Sequence, residues 1–186
     1  MKTNKKFVYL ISPNKIENNN FFTNLDLVLK TQKVNFFQLR LKKETNKNKL
    51  LIGKKIKKIC KKYKVKFLVN DDPWLAKKIN ADGCHLGQKD MNISRARTIL
   101  GNKIIGITCH NSIKLAKSAI EDGANYLAFG AFYPSRTKIV KYKTSLTILK
   151  SIKKITSLPI VAIGGIKLNN YKKLLLNKAN FLAISG

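Results

Sequence analysis

The chain has 186 residues, 44% of them hydrophobic, so it can bury one substantial core and is too apolar for a disordered segment. No apolar run approaches the ~20 residues of a membrane helix, and the stretch from Phe7 to Ile11 is shorter than the ~7–15-residue core of a secretory signal. The balance of 38 basic against 9 acidic residues gives +29, which alone points to nucleic acid or another polyanion.

Taken in chain order, the elements alternate. FVYLI (7–11) reads as a short buried strand, and helical TNLDLVLKTQ follows it. NFFQL (35–39) is the second strand. In the helix after it, KNKLLIGKKIKKICKKY, residues Leu50, Leu51, Ile56, Ile59 and Cys60 are spaced for one apolar face. KFLVN (66–70) leads into DPWLAKKIN, where Asp72-Pro73 marks a helix start. GCHLG (83–87) leads into ISRARTIL, with Ser94 near its start. KIIGIT (103–108) precedes NSIKLAKSAIEDG, with Asn111-Ser112 as cap candidates and Gly123 as the stop. NYLAFG (125–130), PIVAIG (159–164) and NFLAIS (180–185) are the last strands, separated by TSLTILKSIKKIT and KLNNYKKLLLNK.

Short apolar runs without strict alternation are expected of parallel strands buried on both faces. Eight of them alternating with seven helices predict a single (β/α)₈ TIM barrel over 1–186 that lacks its last helix. An open doubly wound sheet is the alternative; the regular spacing favours closure. A missing helix would expose an apolar strip, to be covered by a partner such as a second copy in a homo-oligomer, or left at a cost in stability. Cys60, Cys84 and Cys109 match neither a disulfide framework nor a metal motif, and the last two sit in apolar runs. The expected setting is cytoplasmic, with no membrane. Only four basic residues are Arg (Arg40, Arg95, Arg97, Arg136) and the lysines spread along helical segments, so no specific nucleic-acid partner is expected. The charge would instead draw in small anionic substrates.

In a barrel, chemistry sits on the loops after the strands. Ser12 and Pro13, after the first strand, are uninformative. In QLRLK, period two puts Gln38, Arg40 and Lys42 on one face, converging on an anion or on an internal salt bridge to Asp71 or Asp90. Asp71 and Asp90 suit Mg²⁺ shared with substrate phosphate; Asp72 is an alternative ligand or a helix cap. Asn70 and Gln88 stand beside them, and Thr108 and His110 end the fifth strand. His110 is an acid–base candidate, whereas His85 is expected to pack or hydrogen-bond inside the barrel. In LAFGAFYPSRTK an apolar run gives way to Pro134, Ser135, Arg136, Thr137 and Lys138, either a solvated loop or one that holds phosphate. Gly164-Gly165 serve either a phosphate turn or a tight turn with positive φ. Ser185-Gly186 close the chain. No Ser-His-Asp or Cys-His arrangement is evident.

QLRLK, LVNDD, GCHLGQKD, IGITCHN, YLAFGAFYPSRTK, PIVAIGGI and a final AIS, in that order from Tyr9 to the end, resemble the thiamine phosphate synthases. The resemblance implies a (β/α)₈ enzyme, an alkyl-type transferase. It would join 4-amino-2-methyl-5-hydroxymethylpyrimidine diphosphate to thiazole phosphate with Mg²⁺ and release pyrophosphate. It implies that Gln38, Arg40, Lys42, Asn70, Thr108 and Lys138 contact the pyrimidine diphosphate, and that Arg40, Lys42 and Lys138 stabilise the leaving group. Asp71 and Asp90 would bind the metal. Ser135, Thr137, Gly165, Ile184 and Ser185 would contact the thiazole phosphate. Departure of pyrophosphate before capture by the thiazole nitrogen would need no protein nucleophile. Two residues depart from the pattern: Leu41 replaces the usual Glu, which would remove a charge near the anion site, and Thr108 replaces Ser. The related thiazole tautomerases, with a His near position 110, are the alternative, and a basic nucleic-acid-binding protein is a third.

Overall fold

A computed structural model describes residues 7–18, 20–134 and 142–185. Among these residues eight parallel strands alternate with seven helices: β1 (Val8–Ile11), α1 (Asn20–Lys30), β2 (Val34–Leu39), α2 (Asn46–Lys62), β3 (Lys66–Asn70), α3 (Pro73–Ile79), β4 (Gly83–Leu86), α4 (Ile93–Leu100), β5 (Ile104–His110), α5 (Ile113–Glu121), β6 (Tyr126–Phe129), α6 (Thr147–Lys153), β7 (Ile160–Ile163), α7 (Tyr171–Leu176) and β8 (Phe181–Ser185). The sheet is a closed barrel in sequence order, with β8 paired to β1 from Val8 opposite Leu182 to Ile11 opposite Ser185. The expectation of closure over an open sheet therefore holds. No helix among the described residues is long and apolar enough to cross a membrane.

The strands bury both faces, as their composition requires. Outward residues such as Phe37, Leu39, Phe67, Val69, Leu127 and Phe129 meet Leu29, Ile56, Leu75, Ala96 and Leu149 from the helices. Tyr9, Phe36, Leu68, Tyr126, Ala128, Val161 and Ala183 fill the interior. Helix starts are fixed by side-chain caps: Thr45 accepts from Asn48 N, Asp72 from Leu75 N, Asn92 from Arg95 N and Ser112 from Leu115 N. Of the Asn111-Ser112 pair expected to cap α5, Ser112 is the cap; α4 starts just before Ser94, as expected, and is capped by Asn92. Leu51 also leaves the expected apolar face of α2, being 52% exposed, while Gly53 turns inward beneath Ile79 and Leu39.

A repeated device, unnoticed in the sequence reading, sits at the opposite end of the barrel from the loops discussed above. Asp82, Asn125 and Asn180 each follow an alanine and precede an even-numbered strand. Each side chain accepts from the first buried N–H of the preceding odd strand: Phe67 N at 2.9 Å, Ile105 N at 2.8 Å and Ile160 N at 2.9 Å. Each backbone N–H then donates to the carbonyl of that same residue. The clamp satisfies strand-end groups that have no ladder partner. Arg97 locks one copy further, its guanidinium donating to Asn125 Oδ1 and to the carbonyls of Gly101, Lys103 and Gly123. Replacing Asn125 with Ala strands the Ile105 N–H and one arm of Arg97. We expect a loss of about 1–3 kcal/mol in urea denaturation, with the slope unchanged.

Candidate active site at the C-terminal rim of the barrel

β2 ends at Leu39, and the chain passes through Arg40 and Leu41 into a turn that begins at Lys42. Gln38 is 3% exposed and points into the barrel, donating to Tyr9 Oη at 2.9 Å. Arg40 is half-buried; its guanidinium donates to Asn14 Oδ1 and its backbone N–H to Ser12 Oγ at 2.8 Å. Lys42 pairs with Asp71 at 3.2 Å. Leu39 and Leu41 turn to the opposite face and are buried. The alternation holds for Gln38 and Arg40 against Leu39 and Leu41, whereas Lys42 sits in the turn that follows and lines a cavity with Leu39, Leu41 and Asp71; its pairing with Asp71 is one of the two roles foreseen for these cations.

Asp71 directly follows β3 with φ of 64°, a left-handed conformation uncommon for a side chain larger than glycine, and its N–H donates to His85 O at 2.8 Å. Asp90 lies in the turn after β4 and accepts from Gly87 N at 2.7 Å. Partial desolvation in that turn, followed by the Asp71 carboxylate within hydrogen-bonding reach, raises the Asp90 pKa above the ordinary range. Asp72 is spent as the α3 cap. Among the described residues no group of three or more His, Cys, Asp and Glu side chains could hold a metal. The donor set present is two adjacent carboxylates, which is the arrangement Mg²⁺ takes when substrate phosphates and water complete its shell.

Beneath this rim runs a string of side chains across the barrel. Tyr9 Oη and Tyr126 Oη lie 2.8 Å apart, Tyr126 Oη is 2.7 Å from His85 Nδ1, and His85 Nε2 is 2.9 Å from Thr108 Oγ1. Burial pushes the His85 pKa down to about 4, and burial raises both tyrosines above their usual value. His110, at the end of β5 with φ of 52°, stacks on Tyr142 at 4.2 Å. With Gln88, Asn111, Ser112 and Leu115 it lines an open cavity of about 510 Å³. Cys60, Cys84 and Cys109 are buried and burial raises their pKa values, so none is poised as a nucleophile.

Across the rim, Gly164 and Gly165 have φ of 105° and 59°. A side chain on Gly165 would overlap Pro134 O, and one on Gly164 would overlap Ala131. Phe132 N and Tyr133 N donate to the carbonyls of Ile163 and Gly164. The tight-turn reading of the glycines is therefore met: they let the segment after β6 lie against the end of β7. Ile184 and Ser185 end β8 and are exposed. Ser135, Arg136, Thr137, Lys138 and Gly186 lie outside the described residues.

A family model described as thiamine monophosphate synthase matches residues 8–186. A thiamine-phosphate synthase of Pelagibacter ubique is 79% identical over 185 residues, covering 100% of this chain and 89% of the relative. One from Nitrosomonas eutropha is 38% identical, covering 96% and 84%. A solved thiamine phosphate pyrophosphorylase from Pyrococcus furiosus superposes with a TM-score of 0.84 at 28% identity, over 98% of this chain and 86% of that one.

The chain belongs to the thiamine monophosphate synthase family. On that frame, Gln38, Arg40, Lys42, Asn70, Asp71, Asp90 and Thr108 all lie at or just below one rim, and Gly165, Ile184 and Ser185 lie at strand ends on the same side. Leu41, where synthases usually carry Glu, is 4% exposed. It lines a cavity of about 110 Å³ together with Lys42, Asn70 and Asp71, so the departure places an apolar side chain directly beside these candidate site residues. The sequence reading missed Ser12, taken as uninformative together with Pro13, and Asn14, which was not singled out, although both position Arg40. It also missed Tyr9 and Tyr126, read only as apolar strand residues.

His85 gives a pH dependence. Its native pKa, about 4, lies below the ~6.5 of an unfolded histidine, so between these values the unfolded chain binds more protons. Stability from this group is complete above pH 6.5 and is lost as pH falls toward 4. We expect the urea midpoint to fall over that window, and to fall less in His85→Gln.

Proposed function

We propose that the chain joins 4-amino-2-methyl-5-hydroxymethylpyrimidine diphosphate to thiazole phosphate and releases pyrophosphate, using Mg²⁺ held by Asp71 and Asp90. The observation that carries the site assignment is the junction of Arg40, Lys42 and the Asp71–Asp90 pair on adjoining strand ends. Two cations and two carboxylates side by side suit a metal–diphosphate better than either ion alone.

Bound Mg²⁺ would neutralise charge on the diphosphate oxygens. Arg40, held by Asn14 and Ser12, is preorganised to bond those oxygens as negative charge builds on them. Lys42 exchanges part of its pairing with Asp71 for the same oxygens. Gln38, Asn70 and Thr108 orient the pyrimidine. The methylene carbon–oxygen bond then breaks, and its electron pair leaves with pyrophosphate. The thiazole nitrogen lone pair forms the new carbon–nitrogen bond to the same methylene. Gly165, Ile184 and Ser185, with Ser135 and Thr137, hold the thiazole phosphate, and Lys138 shares the leaving group. No side chain gains or loses a covalent bond, so the protein's work is positioning and charge stabilisation.

The test is product formation from the two phosphorylated substrates, with Mg²⁺ and with chelator. We expect turnover only with the metal. Asp71→Asn preserves the left-handed backbone, which Asn tolerates, and isolates the charge. That substitution and Arg40→Ala should each lower kcat about 10²–10³-fold. Full turnover by Asp71→Asn would remove Asp71 from the metal site.

A further inference from the structure

We infer that the buried string from Gln38 to Thr108 is directed, and that it presents the Thr108 hydroxyl as a fixed hydrogen-bond donor to a ring-nitrogen acceptor of the pyrimidine substrate, with Tyr126 and His85 as positioning residues. This rests on the proposed function, in which Gln38 and Thr108 contact that ring.

Counting protons gives the direction. The Gln38 amide nitrogen can only donate, and it points at Tyr9 Oη at 2.9 Å. The single Tyr9 proton then has Tyr126 Oη as its acceptor at 2.8 Å. The Tyr126 proton in turn faces His85 Nδ1 at 2.7 Å. A neutral imidazole that accepts at Nδ1 carries its proton at Nε2, and Nε2 lies 2.9 Å from Thr108 Oγ1. The Thr108 oxygen is thereby used as an acceptor, and its own proton is left to point elsewhere. Thr108 is the partly exposed end of the string, at the site rim.

The reverse direction fails at the other end. Thr108 would donate to Nε2, His85 Nδ1 to Tyr126, and Tyr126 to Tyr9. Tyr9, 1% exposed, would then receive two protons and have no acceptor in the string for its own. A buried hydroxyl donor without an acceptor is strongly disfavoured. Only a Gln38 amide turned oxygen-first to Tyr9 would permit it, so the amide orientation and the His85 tautomer are one variable.

The barrel is built to hold this string. A side chain at Gly106 would overlap the Tyr126 ring, so its absence lets the phenol lie across the barrel. Tyr126 stacks near-parallel with His85 at 5.6 Å and edge-on to Tyr9 at 6.0 Å. A tyrosine here in place of phenylalanine adds nothing to packing; its hydroxyl is the one atom that joins Tyr9 to His85.

The direct test reads the His85 tautomer in the unmodified protein. The chain has 2 histidines, so ¹⁵N-histidine NMR at neutral pH resolves two imidazoles, and His85→Gln assigns them. We expect His85 as the Nε2–H tautomer; an Nδ1–H tautomer overturns the direction. Kinetics read the consequence. Tyr126→Phe and Thr108→Val should each raise KM for the pyrimidine diphosphate about tenfold, a coupling of the size one hydrogen bond provides, and leave KM for the thiazole phosphate within about twofold. The double variant should be no worse than Thr108→Val alone, since both changes remove one interaction. Multiplying effects, or equal shifts in both KM values, overturn the positioning role. A wild-type protein that couples the substrates but shows the Nδ1–H tautomer overturns the string alone. A wild-type protein that forms no product overturns the proposed function and this inference together.

Discussion

Parallel pairing of β8 with β1 is the constraint on which the rest of the molecule depends. Closure makes every strand point the same way around a ring, so every strand end meets at one rim. Residues as far apart in sequence as Arg40 and Ser185 then share a face without any long-range contact between their own side chains. The rim therefore needs no special folding of its own; it is what a closed parallel sheet leaves at its C-terminal edge. The opposite edge carries the Asp82, Asn125 and Asn180 clamps, which satisfy strand groups and leave nothing free for chemistry. Stability and chemistry occupy opposite ends of the same strands.

The interior supports the rim from below. In most of its layers this barrel fills with apolar side chains, but Gly106 gives way to the Tyr126 ring and brings a hydroxyl to the centre. That choice obliges every neighbour to take part. Tyr9, Gln38, His85 and Thr108 each satisfy one member of the string, and among the described residues no buried side-chain nitrogen or oxygen lacks a partner. A buried polar network satisfied at every position is rigid, because moving any member leaves another unpaired. The rigidity reaches Gln38 and Thr108, the two residues of the string closest to the proposed pyrimidine site.

The strands were legible because parallel strands buried on both faces leave continuous apolar runs, and KFLVN is read to the residue. Asp72 as a cap was legible from the Pro after it. The cap of α5 was legible only as the pair Asn111-Ser112, and Asn92 as the cap of α4 was not singled out, because several short polar residues sit together at each helix start and only the backbone angles decide which one faces the free N–H groups. Leu51 was placed on the wrong face of α2 because a lysine-rich helix offers few apolar landmarks, and Gly53, which the helix buries, gives no hydrophobic signal. The alternation in QLRLK was legible as far as Leu41, with Leu39 and Leu41 buried, but the turn at Lys42 was not. Tyr9 and Tyr126 were not, since an aromatic in a strand reads as core whether or not its hydroxyl is used. Ser12 and Asn14 were passed over because their importance lies in a contact with Arg40 across 28 and 26 residues, which no local pattern records.

The charge takes its meaning from where the few acids sit. With 9 acidic residues against 38 basic ones, most lysines have no carboxylate to pair with. Several carboxylates are committed to specific bonds: Asp72 caps α3, Asp82 clamps β3, and Asp26 holds Tyr63 and Lys62. Asp71 and Asp90 are placed together, where partial desolvation and the neighbouring carboxylate raise the Asp90 pKa. Exposed lysines farther than about 8–10 Å from a ligand are screened at physiological salt, so the surplus acts on the approach of an anion and not on its chemistry. What distinguishes the rim from the rest of this basic surface is thus its negative charge. The overall charge of +29 favours the approach of a diphosphate without choosing a place for it; beside Arg40 and Lys42, Asp71 and Asp90 are the pair that would hold the proposed Mg²⁺ that accompanies it.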